Sequence, residues 1–296
     1  MSEKVHVQFF GIAASPKELE LIEGIIKDCW GLSRSELACT VCELLGWRRP
    51  NGGLKMVECR MFLERLEEKG MLRLPPPRGP RKRNRVRPAT LLKEEDLPPE
   101  PVEGTVAELG PVNLEIVKTQ EDRRLWRGWI DQFHYLGYKV PFGAHLSYFV
   151  CLEKVGRVGC IQVSSPAWRM KVRDAWIGWD DKQRLRGLQH IVQNSRFLIL
   201  PHVRVPNLAS TALAALGRRI ADDWHAHYGI RPLLLETFVD VARFKGTIYK
   251  AANWIPLGLT TGRGRMDREW KRVGEAPKDV YVFPLCRNAR EKLKRL

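Results

Sequence analysis

The chain has 296 residues, 44% of them apolar, which is enough to build a buried core and excludes wholesale disorder as the starting expectation. Fifty Lys and Arg against thirty-four acidic residues leave a formal charge of +16, and such an excess points to a polyanionic partner. No apolar run approaches the roughly twenty residues that a membrane-spanning helix needs, so a membrane role has no support.

From the N-terminus, Val5 to Phe10 reads as a strand, and Leu19, Leu21, Ile22, Ile25 and Ile26 then recur at helical spacing. A second helix opens at Ser33, where Glu36 completes a capping box, and turns Leu37, Val41, Leu44 and Leu45 inward. The turn Arg48 to Gly53 stops it. A third helix, Leu54 to Lys69, places Met56, Cys59, Phe62, Leu63 and Leu66 on one face, with Lys55, Arg60 and Arg65 elsewhere. Gly70 ends it, and Met71 to Leu74 is expected as a short strand. Three helices, a Gly-containing turn and a trailing β element predict a winged helix-turn-helix over residues 1–75. The third helix would enter a major groove, with Arg48, Arg49, Lys55 and Arg60 as its DNA contacts. A helical bundle used for protein contacts is the alternative.

Residues 76–112 read as a linker. Pro75, Pro76 and Pro77 stiffen its start, and Arg78, Arg81, Lys82, Arg83, Arg85 and Arg87 crowd the next ten positions. That density of like charge repels itself unless phosphates neutralise it. An acidic, proline-rich stretch from Glu94 to Pro101 follows.

Seven cysteines are scattered among apolar runs, which fits reduced, buried thiols and a cytoplasmic compartment. Cys39 and Cys42 form a C-x-x-C inside the second helix, but no second pair follows to close a zinc site.

Residues 113–296 alternate helix and strand signals. Asp122 to Phe133 reads as a helix, His145 to Leu152 and Val158 to Val163 as strands, and Ser195 to Leu200 as a third strand. A long helix from Leu208 to His227 with an Asn207 cap, a strand from Leu233 to Val239, a short helix from Thr247 to Asn253 and a strand from Trp254 to Leu259 complete a mixed α/β core. The chain carries no phosphate loop, no H-E-x-x-H helix and no nucleophile elbow. His225 and His227 sit at a helix end, where imidazolium complements the dipole. Arg287, Arg290, Lys292, Lys294 and Arg295 either extend a phosphate footprint or solvate a terminal helix.

The blocks Asn194 to Pro201, Leu234 to Asp240 and Gly246 to Trp254, together with Trp176 to Asp180, resemble the DruA-like family, named for a component of the Druantia anti-phage system. Relatives of that kind occur beside defence genes and as standalone genes that travel with mobile elements. The resemblance implies a DNA partner and, in a defence setting, other defence-system proteins.

His134-Tyr135 and Gly246 to Tyr249 are also similar to motifs of the phage Mom DNA-modification proteins, which have an N-acetyltransferase-like fold and modify the exocyclic amine of adenine. The fold class implied is α+β: a winged helix-turn-helix followed by a Mom-like domain. By this likeness His134, Tyr135, Asp240 and Tyr249 form the reactive cluster. The residue types suit the work, since His moves protons near neutral pH, Asp orients it or binds a cation, and a Tyr hydroxyl donates or attacks. Extrusion of the base would bring stacking surfaces into play, for which Trp168, Trp176, Trp179 and Trp254 are candidates. The segment Val205 to Ser210 lacks the glycine-rich turn that cradles a cofactor pyrophosphate, which argues against acyl-CoA.

Three functions stay open. One is base modification. Another is strand cleavage of recombinase or transposase type, with Tyr249 attacking phosphate, Glu236, Asp240 or Asp180 binding a divalent metal ion, and Arg196 stabilising charge, although Glu236 on an apolar strand also reads as a paired structural carboxylate. The third is a non-catalytic DNA sensor.

Overall fold

The computed structural model describes residues 7–50, 53–77, 92, 96–97, 101–141, 143–260 and 276–296. The linker cations Arg78, Arg81, Lys82, Arg83, Arg85 and Arg87 lie outside the described residues. Two compact units are formed, Met1–Arg87 with Lys139–His145, and Pro88–Tyr138 with Leu146–Leu296.

In the first unit, β1 (Val7–Phe9) pairs antiparallel with β2 (Ile12–Ala14), so the expected single strand is a hairpin. Phe10 and Gly11 form its two-residue turn at φ 53° and 72°, the left-handed pair that matches strand twist. Helix α1 (Pro16–Asp28) starts on a Ser15–Glu18 capping box and buries Ile22, Ile25 and Ile26. Helix α2 (Arg34–Leu45) starts on the expected Ser33–Glu36 box and ends at Gly46, whose φ of 66° closes the helix at no steric cost. Helix α3 (Met56–Glu68) buries Cys59, Phe62, Leu63 and Leu66, with Phe62 edge-on to Trp47 at 5.5 Å. Met71 to Leu74 forms no strand. The Met71 N–H bonds Leu66 O and the Leu74 N–H bonds Glu67 Oε1, so helix α3 satisfies the groups that a ladder would have used.

The second unit opens with β3 (Val102–Glu103), α4 (Val106–Leu109), β4 (Val112–Ile116) and α5 (Gln120–Phe133). It continues through β5 (His145–Leu152), β6 (Gly156–Ser164), α6 (Lys171–Ile177), α7 (Asp181–Gly187) and β7 (Ile191–Ile199). Then come β8 (Val203–Arg204), α8 (Leu208–Tyr228), β9 (Leu234–Asp240), α9 (Thr247–Ala251), β10 (Ile255–Leu259), β11 (Lys278–Pro284) and α10 (Ala289–Arg295). Seven strands make one sheet in the order β10-β11-β9-β7-β6-β5-β4, while β3 and β8 form a separate parallel pair. Strand β7 is parallel to β9, and the long helix α8 is the crossover that parallel pairing requires. Strand β11 inserts between β9 and β10, and it, α6 and α7 have no counterpart in the expected elements, whereas α10 is the terminal helix considered for the C-terminal cations.

Alternation along β9 sends neighbouring residues to opposite faces of the sheet. On one face, Leu234 joins Ile177, Ile191, Val282 and Leu293 in a core under α6 and α10. Two residues on, the fully buried Glu236 accepts from Arg173 at 3.0 Å and from the Ala167 N–H at 3.2 Å. Arg173, itself fully buried, also donates to Asp174 at 2.9 Å and to Ala167 O at 2.9 Å. Burial pulls the Arg173 pKa down, and Glu236 and Asp174 more than reverse it.

Removing one member of such a pair strands a buried charge, so Arg173→Met is expected to cost about 3–5 kcal/mol, and Arg173→Met with Glu236→Leu much less. Urea unfolding of the three proteins checks this.

Candidate functional site

Strand β7 pairs with β9 only from Ile191 to Asn194, opposite Leu234 to Thr237. Beyond that point β7 stays with β6, and β9 stays with β11. The sheet therefore forks at Asn194 and Thr237, and a crevice at the carboxyl ends of diverging strands is where open α/β sheets place ligands. The register also shifts, because Asn194 lies opposite Val163 and Arg196 opposite Gln162, which leaves Ser195 as an extra residue in β7. Such a bulge re-aims the side chains that follow it.

Asn194 is buried at the fork and uses both halves of its amide. Its Nδ2 donates to Gln162 O at 3.1 Å and to Arg196 O at 2.9 Å, and its Oδ1 accepts the Tyr249 hydroxyl at 2.9 Å. Its main-chain carbonyl accepts from Thr237 Oγ1 at 3.0 Å. Tyr249 lies stacked on Tyr281 at 5.7 Å and edge-on to Trp254 at 5.1 Å. Burial pushes its hydroxyl up to about 12, the nearby Thr237 hydroxyl opposing that shift and Tyr135 adding to it.

Above the fork, the end of α5 and the end of β9 bring four of the sequence-derived residues together. His134 terminates α5 and its ring stacks on Tyr135 at 4.9 Å. Its Nδ1 accepts the Leu136 N–H at 3.3 Å, so the neutral ring carries its proton on Nε2. Burial, with Arg196 nearby, drives the imidazole pKa down to about 4. Arg196 donates to Gly137 O at 3.3 Å and to Ser195 O at 2.7 Å, and burial lowers its pKa. Tyr135 is raised by burial and by Asp240, against Arg196 and Arg243. Asp240 accepts the Ala242 N–H at 3.1 Å and lies 3.7 Å from Arg243 Nε.

Of the other two expected members, Glu236 stands apart, while Tyr249 is near enough to Tyr135 for the two to interact electrostatically. Glu236 is turned to the α6 face with both carboxylate oxygens engaged, and burial raises its pKa against the pull of Arg173. Four residues of extended strand place it about 13 Å from Asp240 along β9. The pair is thus corrected as a shared cation site. Tyr249 lies beneath the opposite face, with its hydroxyl proton committed to Asn194. Among the described residues no group of three His, Cys, Asp or Glu side chains is placed to hold a metal ion.

At the start of α8, Asn207 takes φ 61° and its side chain makes no capping bond, contrary to the cap expected there. The left-handed backbone turns its side chain away from the helix end, and Ser210 Oγ donates instead to Asn207 O at 3.0 Å. All seven cysteines are free thiols. No helix among the described residues is long and apolar enough to cross a membrane.

In the first unit the expected DNA contacts have intramolecular partners. Arg49 pairs with Glu58 at 2.8 Å, Arg60 with Glu64 at 3.7 Å, and Lys55 Nζ donates to Gly11 O at 3.3 Å. Arg48 is bridged through its backbone to Leu54, and burial lowers its pKa.

Sequence reading missed Asn194 and Thr237 as the fork, and Arg243 and Phe244 beside Asp240. A run of four polar residues, Gln193 to Arg196, inside a strand flanked by apolar residues was the available signal.

A family model described as Druantia protein DruA matches residues 65–273. No curated protein matches the chain. Among solved structures, spermidine/spermine N-acetyltransferase SpeG from Vibrio cholerae in complex with manganese ions is similar over 59% of this chain and 93% of its own, at 11% identity and a TM-score of 0.36. Spermidine N-acetyltransferase from Vibrio cholerae in complex with CoA and spermine covers 59% of this chain and 95% of its own, at 11% identity and 0.37. The dodecameric form of the Vibrio cholerae enzyme in an intermediate state covers 59% and 94%, at 11% and 0.34. Likeness at this level carries nothing about the chemistry of the present chain.

Asn194→Ala would remove three hydrogen bonds, leaving Gln162 O with Ser195 Oγ at 3.5 Å and the Tyr249 hydroxyl with Thr237 Oγ1 at 3.4 Å, and is expected to cost about 2–3 kcal/mol, whereas Tyr249→Phe costs about 1 kcal/mol. Denaturant midpoints measure the difference. Since the folded His134 pKa of about 4 lies below its ordinary 6.5, the unfolded chain takes up that proton first as pH falls. The contribution is full above pH 6.5 and is lost toward about pH 4. The stability of His134→Gln should decline less than that of the parent across this window in pH-dependent thermal unfolding.

Proposed function

We propose that this chain, which belongs to the family of the Druantia protein DruA, is a DNA-acting enzyme that modifies bases through His134, Tyr135, Arg196 and Asp240. The observation that carries the reading is the convergence of these four residues from α5, β7 and β9 beside the forked sheet. A neutral imidazole held well below its ordinary pKa is a poor base at pH 7 but a good hydrogen-bond donor. In this reading the exocyclic amine forms a bond to an electrophilic group donor supplied as a co-substrate, the donor's leaving group departs with the bonding pair, Asp240 takes the proton that the nitrogen loses, and Arg196 and Arg243 offset the charge that develops. Tyr249 serves in this reading as a positioning residue, since its hydroxyl bonds Asn194 at the fork and it interacts electrostatically with Tyr135. Family membership points to an anti-phage setting, in which other defence-system proteins are the expected partners.

For the first unit we propose a winged-helix type of DNA contact, with the β1–β2 hairpin in place of a trailing wing. The order of three helices with a tight turn before α3 supports it. From Lys55 to Lys69 four cations face four Glu residues, so α3 brings little phosphate attraction of its own. The linker arginines supply that attraction, together with the exposed Lys182 and Arg186 of α7 and Arg290, Lys292, Lys294 and Arg295 of α10.

Plasmid recovered from cells expressing the full chain is expected to contain a nucleoside of altered mass that disappears with His134→Gln or Asp240→Asn. Unmodified nucleosides accompanied by nicks, or by a protein–DNA adduct lost in Tyr249→Phe, would replace this reading with strand cleavage. Unaltered, intact DNA that remains tightly bound would leave a sensor. Changing Arg290, Lys292, Lys294 and Arg295 to Gln is expected to flatten the dependence of log K on log salt by about 0.9 for each phosphate that is no longer neutralised, as read by binding titrations at several salt concentrations.

A further inference from the structure

Directly after β9, every residue from Val241 to Lys245 is exposed. Phe244 is 50% exposed and Val241 42%, while across from them Tyr135 and Leu136 at the end of α5 are 39% and 42% exposed. The Phe244 and Tyr135 rings meet with centroids 5.4 Å apart at 58°. The Arg243 guanidinium lies 5.1 Å from the Tyr135 ring, and Lys245 follows in the same turn.

Nothing in the turn needs these rings. The Arg243 and Phe244 N–H groups are already bonded to Asp240 O at 3.1 and 2.9 Å, and the Ala242 N–H to the Asp240 carboxylate, so a small polar residue at position 244 would leave the backbone bonds intact. Aromatic rings left in water beside cations are an arrangement suited to an unpaired nucleobase, which offers an apolar face for stacking and a phosphate for the cations. A base paired in duplex DNA keeps both faces covered by its neighbours, so only an unstacked one can use this surface.

We propose that Phe244 and Tyr135 form a stacking platform for one unpaired base of single-stranded DNA, with Arg243 and Lys245 on the flanking phosphate. The platform adjoins Asp240 and the His134 ring, so the stacked base is delivered to the cluster assigned above, and the inference rests on that reading. An apolar protein partner would also be drawn to exposed rings, but the two cations and the adjoining cluster favour nucleic acid.

The test uses the full chain and a fluorescently labelled single-stranded oligonucleotide, with an abasic strand of equal length as the control. Phe244→Ala is expected to weaken binding of the normal strand about 5- to 100-fold, in keeping with the loss of one base–aromatic stack. The abasic strand should bind parent and variant alike. Phe244→Trp should retain affinity and add an emission component that the normal strand quenches and the abasic strand does not. An unchanged thermal unfolding midpoint for Phe244→Ala separates the effect from misfolding. Equal binding of the normal strand by parent and Phe244→Ala would overturn the platform, assign the patch to a protein contact, and leave the DNA-acting reading standing. Failure of the parent to bind any DNA would overturn both.

Discussion

The second unit is organised around one buried amide. Asn194 sits where β7 leaves β9, and its side chain bonds one carbonyl of β6, one carbonyl of its own strand beyond the bulge and one hydroxyl of α9. A sheet that forks exposes main-chain groups that a continuous ladder would have paired, and a buried orphan of that kind costs about 1–3 kcal/mol. The amide meets this constraint on both sides of the bulge. It also fixes the Tyr249 hydroxyl.

The two faces of β9 divide the labour between stability and chemistry. Toward α6 and α10, the Arg173–Glu236 pair is sealed among apolar side chains, where a carboxylate without its guanidinium could not remain. Toward α9, Thr237 and Tyr249 close the fork. Only at its last residue, Asp240, does the strand present a carboxylate outside both cores, and the exposed turn beyond it carries Arg243 and Phe244. The residues of the proposed site are therefore held at the edges of rigid elements, which is where precise placement is compatible with access.

The large positive charge is unevenly distributed. In α3 each cation has an acidic neighbour, whereas α10 sets four cations against the single Glu291. A polyanion approaching the molecule is drawn to the linker and to the surface of α7 and α10 more than to α3. Under the proposed DNA-acting function, that distribution would assign contact with the nucleic-acid backbone to the linker, α7 and α10 rather than to α3.

Periodicity in the sequence was sufficient for most elements: α1, α2, α3, α5 and α8, the strands β5, β6 and β9, and the Ser33–Glu36 cap all follow from local spacing and capping chemistry. Sequence also supplied the residues at the edge of the site, since His134, Tyr135 and Asp240 stand in motifs that resemble a known family. It could not tell that Met71 to Leu74 would bond to α3 in place of a strand partner, nor that Lys278 to Pro284 would insert between β9 and β10. It left Glu236 open between a metal ligand and a paired structural carboxylate on an apolar strand, and it could not name the partner that decides between them. That distinction depends on Arg173, sixty-three positions away, and on the fork at Asn194, both brought into place by pairing between distant strands. Local chemistry chose the elements; non-local pairing decided which carboxylate was buried with a partner and which was left at the crevice.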